Sequence, residues 1–191
     1  MRFLQGHFSD MTSAKQIRLL LRDNDTFLQV LASKSTSHLP PPCSLSLPKT
    51  LIINIESKKG GKIGHWVGLL MTSSEAIYFD SMGERLYDEN IIKYLLSHYN
   101  CIFYNPLKIQ HKSSVKCGLF CVAFVKFVKS KGDFKQFIEM FTKVDLKKND
   151  CIVQKMIFLK CNKMILRNNL RTFFHTYHKD IRDGSSAAAT E

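Results

Sequence analysis

Leu119 to Lys129 holds Leu119, Phe120, Val122, Ala123, Phe124, Phe127 and Val128. On a helix these side chains cover most of the circumference rather than one stripe, so the helix has to be surrounded. That requirement fixes the class of fold: a central buried helix needs a sheet and further helices packed round it. The run opens directly after Cys117-Gly118, so whatever holds the helix also holds that cysteine.

Upstream the period changes. Leu51-Ile52-Ile53-Asn54-Ile55 reads as a buried strand from its density of β-branched residues, and Trp66–Thr72 and Ala76–Asp80 as two more, joined by Thr72-Ser73-Ser74-Glu75. His65 then stands at the start of one strand and Asp80 at the end of the next. In an antiparallel hairpin those ends lie side by side. Cys101–Tyr104 reads as a fourth strand. Residues 12–22 read as a helix capped by Thr12 or Ser13, with Ile17, Leu20 and Leu21 as its stripe and Asp23-Asn24-Asp25 ending it. Thr26–Leu31 is expected to add a short second turn. Ser33–Pro48, with three consecutive prolines, is expected to be a crossing or loop. Asp88 should cap a helix through about Tyr99, with Ile91, Ile92, Leu95 and Leu96 inward. Asp133 should start a short helix through Phe141, and Asn149 or Asp150 should cap a longer helical region through about Tyr177. The expected whole is α+β: a mixed sheet flanked by helices, forming one domain over 1–183 with a disordered tail at 184–191.

With 191 residues and 45% apolar content the chain can fill one core, and 14 Phe make that core aromatic. The formal charge of +12, from 28 basic and 16 acidic residues, points to anionic partners or to a lysine-rich solvated face. No apolar h-region opens the sequence and no window approaches a membrane span. The six cysteines (Cys43, Cys101, Cys117, Cys121, Cys151 and Cys161) are expected to be mostly free thiols in an intracellular, reducing compartment. Nothing demands more than a monomer.

His65, Asp80, Gln110 and Cys117 are the residue types of a thiol hydrolase: a base, a group to orient it, a donor for a developing oxyanion, and a nucleophile. Their chain order, with Cys last, differs from that of papain-like enzymes. Cys117 ahead of the buried helix meets unpaired N–H groups and the positive end of the helix dipole, and Lys116 adds charge beside it. Gly118 would let a substrate approach the backbone closely. Each residue alone has a bland reading: a core thiol, a loop histidine, a turn-forming Asp, a loop amide. Cys121, flanked by Phe120 and Val122, reads as core.

Gly64-His65-Trp66, Tyr78-Phe79-Asp80-Ser81-Met82-Gly83, and Gln110 ahead of Cys117-Gly118-Leu119-Phe120-Cys121 together resemble the adenain family. This is the family of the adenovirus maturation protease, with relatives in other double-stranded DNA viruses and in Polinton/Maverick transposons. More distantly the pattern resembles the ubiquitin-like-protein proteases of the deSUMOylating type. The resemblance covers residues 12–141, including Asp25, Phe27 and Leu39-Pro40, and the Cys-Gly-Leu-Phe-Cys run favours the viral branch.

It implies a cysteine endopeptidase that cuts precursor proteins. Cys117 would be the nucleophile and His65 the proton carrier. Asp80 would orient His65; adenain itself has Glu there. Gln110 and the Cys117 N–H would be oxyanion donors, and Trp66 would shape the substrate groove. No cofactor or metal is required, although the family admits an activating peptide or DNA. The activating disulfide is not expected at Cys101, whose distance from Gln110 is not the family's. The resemblance also implies non-specific DNA binding, location in the host nucleus or cytoplasm, and packaging in virions.

Two readings compete. Cleavage after the Gly-Gly end of a ubiquitin-like tail needs the same chemistry. A basic nucleic-acid-binding module without catalysis would need only the charge. A zinc site from Cys117, Cys121, Cys151, Cys161, His175 and His178 lacks the paired spacing of a structural site.

Overall fold

The computed structural model describes residues 12–55, 64–130 and 133–158. The chain divides into two units, Met1–Lys160 and Cys161–Glu191, and every described residue belongs to the first. The expected domain limit at 183, the tail at 184–191 and the helix through Tyr177 reach outside the described residues.

Five strands form one mixed sheet in the order β1-β2-β3-β4-β5. They are β1 (Phe27–Ala32), β2 (Lys49–Ile55), β3 (His65–Met71), β4 (Ala76–Phe79) and β5 (Ile102–Tyr104). The central hairpin is antiparallel, as are β2 and β3, while the outer pairs β1/β2 and β4/β5 run parallel. The fold is α+β, as the sequence predicts.

β1 corrects an expectation, since Thr26–Leu31 had read as a helical turn. Its apolar residues fit either period, and pairing with β2 decides between them. Leu28 and Leu31 face one core, Phe27 and Val30 the other; the register shift between Phe27 and Gln29 breaks the plain alternation of a strand there. The crossing at 33–48 is ordered by two 3-10 turns, Ser33–His38 and Pro42–Ser44.

The sheet carries a core on each face. On one lie α2 (Glu89–Leu96) and the crossing, with Leu39, Leu45 and Leu47 packed on the buried apolar residues. Asp88 caps α2 as expected, by accepting from the Asn90 and Ile91 N–H groups. Its inner face is Ile91, Tyr94 and Leu95; Leu96, expected inside, is 49% exposed. Tyr94 takes the inward place because its hydroxyl can donate to the Pro40 carbonyl at 3.0 Å.

The other face carries α1 (Ala14–Leu21), α3 (Cys117–Lys129), α4 (Phe134–Glu139) and α5 (Leu146–Phe158). Ser13 and Gln16 cap α1 reciprocally. Phe120 through Val125 of α3 are buried without interruption, as the all-round apolar run requires. Phe124 stacks on Phe79 of β4 with centroids 5.0 Å apart, and Phe137 of α4 meets Phe79 edge-on at 5.3 Å. α3 lies close on β3 because Gly68 has no side chain: a Cβ there would stand 2.8 Å from the Phe124 ring.

Two boundaries differ from the sequence reading. Cys117 is the first residue of α3, not a loop residue ahead of it. α5 begins at Leu146, so Asn149 and Asp150 lie inside the helix rather than capping it. Their side chains are engaged by the segment that leads into α3.

Candidate active site

The β3–β4 hairpin places the first pair. Its ladder runs from Met71↔Ala76 to Gly68↔Phe79. One further step sets Val67 opposite Asp80, and His65 is then a diagonal neighbour on the same face. The His65 Nε2 and Asp80 Oδ1 atoms are 2.7 Å apart, with the carboxylate 1% exposed and the imidazole 22%. Asp80 Oδ1 also accepts from the Met82 N–H at 2.7 Å.

Asn105, after β5, brackets the Asp80 backbone. Its Oδ1 accepts from the Asp80 N–H at 2.9 Å, and its Nδ2 donates to the Asp80 carbonyl at 2.6 Å. The turn after Asp80 needs Gly83, which has φ +69 and sits against Lys108 N, 2.6 Å from where a Cβ would stand.

The Cys117 thiol lies close enough to the same imidazole to favour its charged form, so His65 stands between the thiol and the carboxylate. Burial works against a charged ring. The hydrogen bond to Asp80, the neighbouring Cys117 and the charges of both together outweigh it, and the His65 pKa is pushed up to about 10. Cys121, one turn deeper, is fully buried, and burial raises its thiol pKa well above the ordinary value; it is core, as expected.

Gln110 is 2% exposed and held at both ends of its amide. Nε2 donates to the Ser114 carbonyl at 2.7 Å, and Oε1 accepts from the Ser81 hydroxyl at 2.6 Å. A carbonyl can only accept, so the amide orientation is determined and one Nε2–H stays free to donate. The Ser81 carbonyl also accepts from the Ile109 and Gln110 N–H groups, both at 2.9 Å.

Trp66 donates its indole N–H to the Thr12 carbonyl at 2.8 Å. Gly118 is buried, and a Cβ there would stand 2.7 Å from Thr12 Cβ and 3.1 Å from Trp66 Cδ1. The glycine is needed for these two residues to close against the start of α3. Lys116, expected to lend its charge to Cys117, is instead paired with Asp150 at 3.6 Å.

His65, Asp80 and Cys117 thus come together, and Gln110 lies in the loop that leads into Cys117. Reading the sequence missed Ser81, Asn105, Ser114, Asn149 and Asp150. Only Ser81, next to Asp80, carried a local signal. Among the described residues no group of three or more His, Cys, Asp or Glu could hold a metal ion; Cys161, His175 and His178 lie outside them.

No family model and no curated protein matches the chain. Solved structures do. The ASFV pS273R protease, in its selenomethionine form, superposes with a TM-score of 0.55 at 9% identity, covering 78% of this chain and 67% of that one. A second structure of that protease gives 0.48 at 12% identity, with 78% and 66% covered, so this chain spans about two thirds of its length. The SUMO protease Ulp1 gives 0.42 at 10% identity with 79% of each chain covered. ChlaDub1 from Chlamydia trachomatis gives 0.40 at 14% identity with 78% and 81% covered. The fold is the α+β cysteine-protease fold of the ASFV enzyme.

Proposed function

We propose that this chain is a cysteine endopeptidase with Cys117 as nucleophile, His65 as proton carrier, Asp80 as orienting carboxylate and Gln110 as oxyanion donor. The observation that carries the reading is the single imidazole hydrogen-bonded to Asp80 with the Cys117 thiol beside it, in a cysteine-protease fold. With Nε2 engaged by Asp80, Nδ1 exchanges the proton with Cys117.

In the forward step the Cys117 thiolate forms a C–S bond to the scissile carbonyl carbon, and the C=O π electrons move onto oxygen. The free Gln110 Nε2–H and the Cys117 backbone N–H, unpaired at the first turn of α3, stabilise that oxyanion. The oxyanion collapses, the C–N bond breaks, and the His65 imidazolium gives its proton to the departing amine. Water then attacks the thioester while His65 takes its proton. The acid leaves and the thiolate returns.

Precursor polypeptides cut at internal sites, as in virion maturation, are the substrates this reading favours. The Cys-Gly-Leu-Phe-Cys run and the likeness to the ASFV protease fold support it. The charge of +12 supports non-specific DNA as partner or activator. A monomer acting inside the host cell belongs to the same proposal. Among the described residues no helix is long and apolar enough to cross a membrane.

The second reading, hydrolysis of ubiquitin-like tails, uses the same catalytic groups. A peptide library incubated with wild type and with Cys117→Ala, with and without DNA, separates the outcomes by mass spectrometry. Cuts at internal sites by wild type alone support the proposal. Cuts confined to Gly-Gly tails favour the second reading. Identical patterns from both proteins refute catalysis by Cys117.

A further inference from the structure

Two consecutive residues of α5 grip the loop that carries Gln110. Asn149 is fully buried, and its Nδ2 donates to the Ile109 carbonyl at 2.8 Å, one residue before Gln110. The same Nδ2 donates to the Thr142 carbonyl at 2.8 Å, and Oδ1 accepts from the Thr142 N–H at 2.9 Å. Asp150 holds the loop's other end. Its Oδ1 accepts from the Ser114 hydroxyl at 2.9 Å, and its Oδ2 lies 3.6 Å from Lys116 Nζ. Ser114 is the junction. Its hydroxyl also accepts from the Lys116 N–H at 3.3 Å, and its carbonyl receives the Gln110 amide at 2.7 Å.

From this chain of contacts we infer that Asp150 is a positioning residue for the oxyanion donor. Through Ser114 it fixes where the Gln110 amide points, and through Lys116 it fixes the residue that opens α3 beside Cys117. Neither link touches substrate. A carboxylate suits the place because its two oxygens can serve the hydroxyl and the ammonium at once, and the pair is largely shielded from water. The inference rests on the cysteine-protease reading for its effect on rate, but not for its effect on the Gln110 amide.

The test compares Asp150→Ala, Asp150→Asn and Ser114→Ala by steady-state kinetics on a cleaved peptide. Loss of an oxyanion donor costs about 10²–10³ in kcat, which bounds the effect of merely misplacing one. Asp150→Ala should lower kcat by roughly 10- to 100-fold within that bound, with KM unchanged, because the oxyanion contact exists only in the transition state. Asp150→Asn retains an oxygen for Ser114 and should recover most of the loss. Ser114→Ala keeps the carbonyl but cuts the link, and should resemble Asp150→Ala.

In a Gln110→Ala background, Asp150→Ala should lower kcat no further. Wild-type kcat in Asp150→Ala and Ser114→Ala, or full additivity with Gln110→Ala, would overturn the inference. Failure of wild type to cleave would instead count against the protease reading. The Gln110 side-chain amide, followed by NMR hydrogen exchange, then decides alone: faster exchange in Asp150→Ala or Ser114→Ala supports the inference, and unchanged exchange in both overturns it.

Discussion

His65 and Asp80 are placed by backbone; Gln110 and Cys117 are placed by side chains and by a helix from the far end of the described chain. The first pair follows from one antiparallel hairpin, whose register makes the two residues diagonal neighbours. The second depends on Ser81, Ser114, Asn149 and Asp150, which reach across 29 to 40 positions of sequence. A hairpin repeats a simple geometric rule, so its consequences travel with the spacing. A hydrogen-bonded loop has no period, and each contact must be found separately. The difference also sets what each half tolerates. His65 is anchored by ladder bonds that no single side chain controls, and Asp80, one residue past β4, is held by one bracketing side chain, Asn105, whereas the loop's position hangs on several polar side chains.

The largest effect should come from removing the two groups proposed to change bonding. Cys117→Ala and His65→Ala should each lower turnover by roughly 10⁴–10⁶-fold, measured as kcat on a cleaved peptide. Both should do so whichever half of the site they occupy.

Asp80→Asn comes next, with a loss of about 10⁴-fold expected from a wrongly held imidazole. It also sharpens the electrostatic account through pH. His65 is raised to about 10, so in wild type the imidazolium needed by the leaving amine persists until pH rises through that value, and the alkaline limb of kcat should lie there. In Asp80→Asn the alkaline limb should move down toward the ordinary histidine range. Stability follows the same sign. A raised folded pKa gives stabilisation that is complete below the unfolded value of 6.5 and is lost as pH climbs to about 10. Urea unfolding of wild type against His65→Ala across that window reads the loss directly.

Gln110→Ala should cost about 2.7–4 kcal/mol of transition-state stabilisation, seen in kcat rather than KM. A Gln110 variant with normal turnover would remove the loop half from the chemistry and leave only the hairpin half. The smallest effect belongs to Trp66→Phe. It removes the indole N–H from the Thr12 carbonyl and should lower unfolding free energy by about 1 kcal/mol.

How much of this was legible in the sequence follows from the same division. The hairpin ends, the all-round apolar α3 and the caps at Asp88 and Asp133 were readable because each is a local or periodic signal. Phe27–Ala32 was not, since its apolar residues suit two periods and a partner strand chose between them. The inward face of α2 was misjudged at Leu96 because a tyrosine with a partner for its hydroxyl can displace a leucine. Asn149 and Asp150 looked like caps, since residues of their type favour helix starts. Their side chains are instead satisfied by a loop some forty positions upstream. Lys116 looked like a charge for the nucleophile until Asp150 claimed it. The residue types of the proposed chemistry were thus visible, while the residues that hold one half of them in place were not.

The most direct test of the central claim is the mass of the protein during turnover. A peptide ester substrate, quenched in acid within the first turnovers, should leave wild type heavier by its acyl group, with the adduct mapped to Cys117 by digestion. Cys117→Ala should stay at its own mass and release no product. Product formation with no adduct on Cys117, or at the same rate in the variant, would contradict the account.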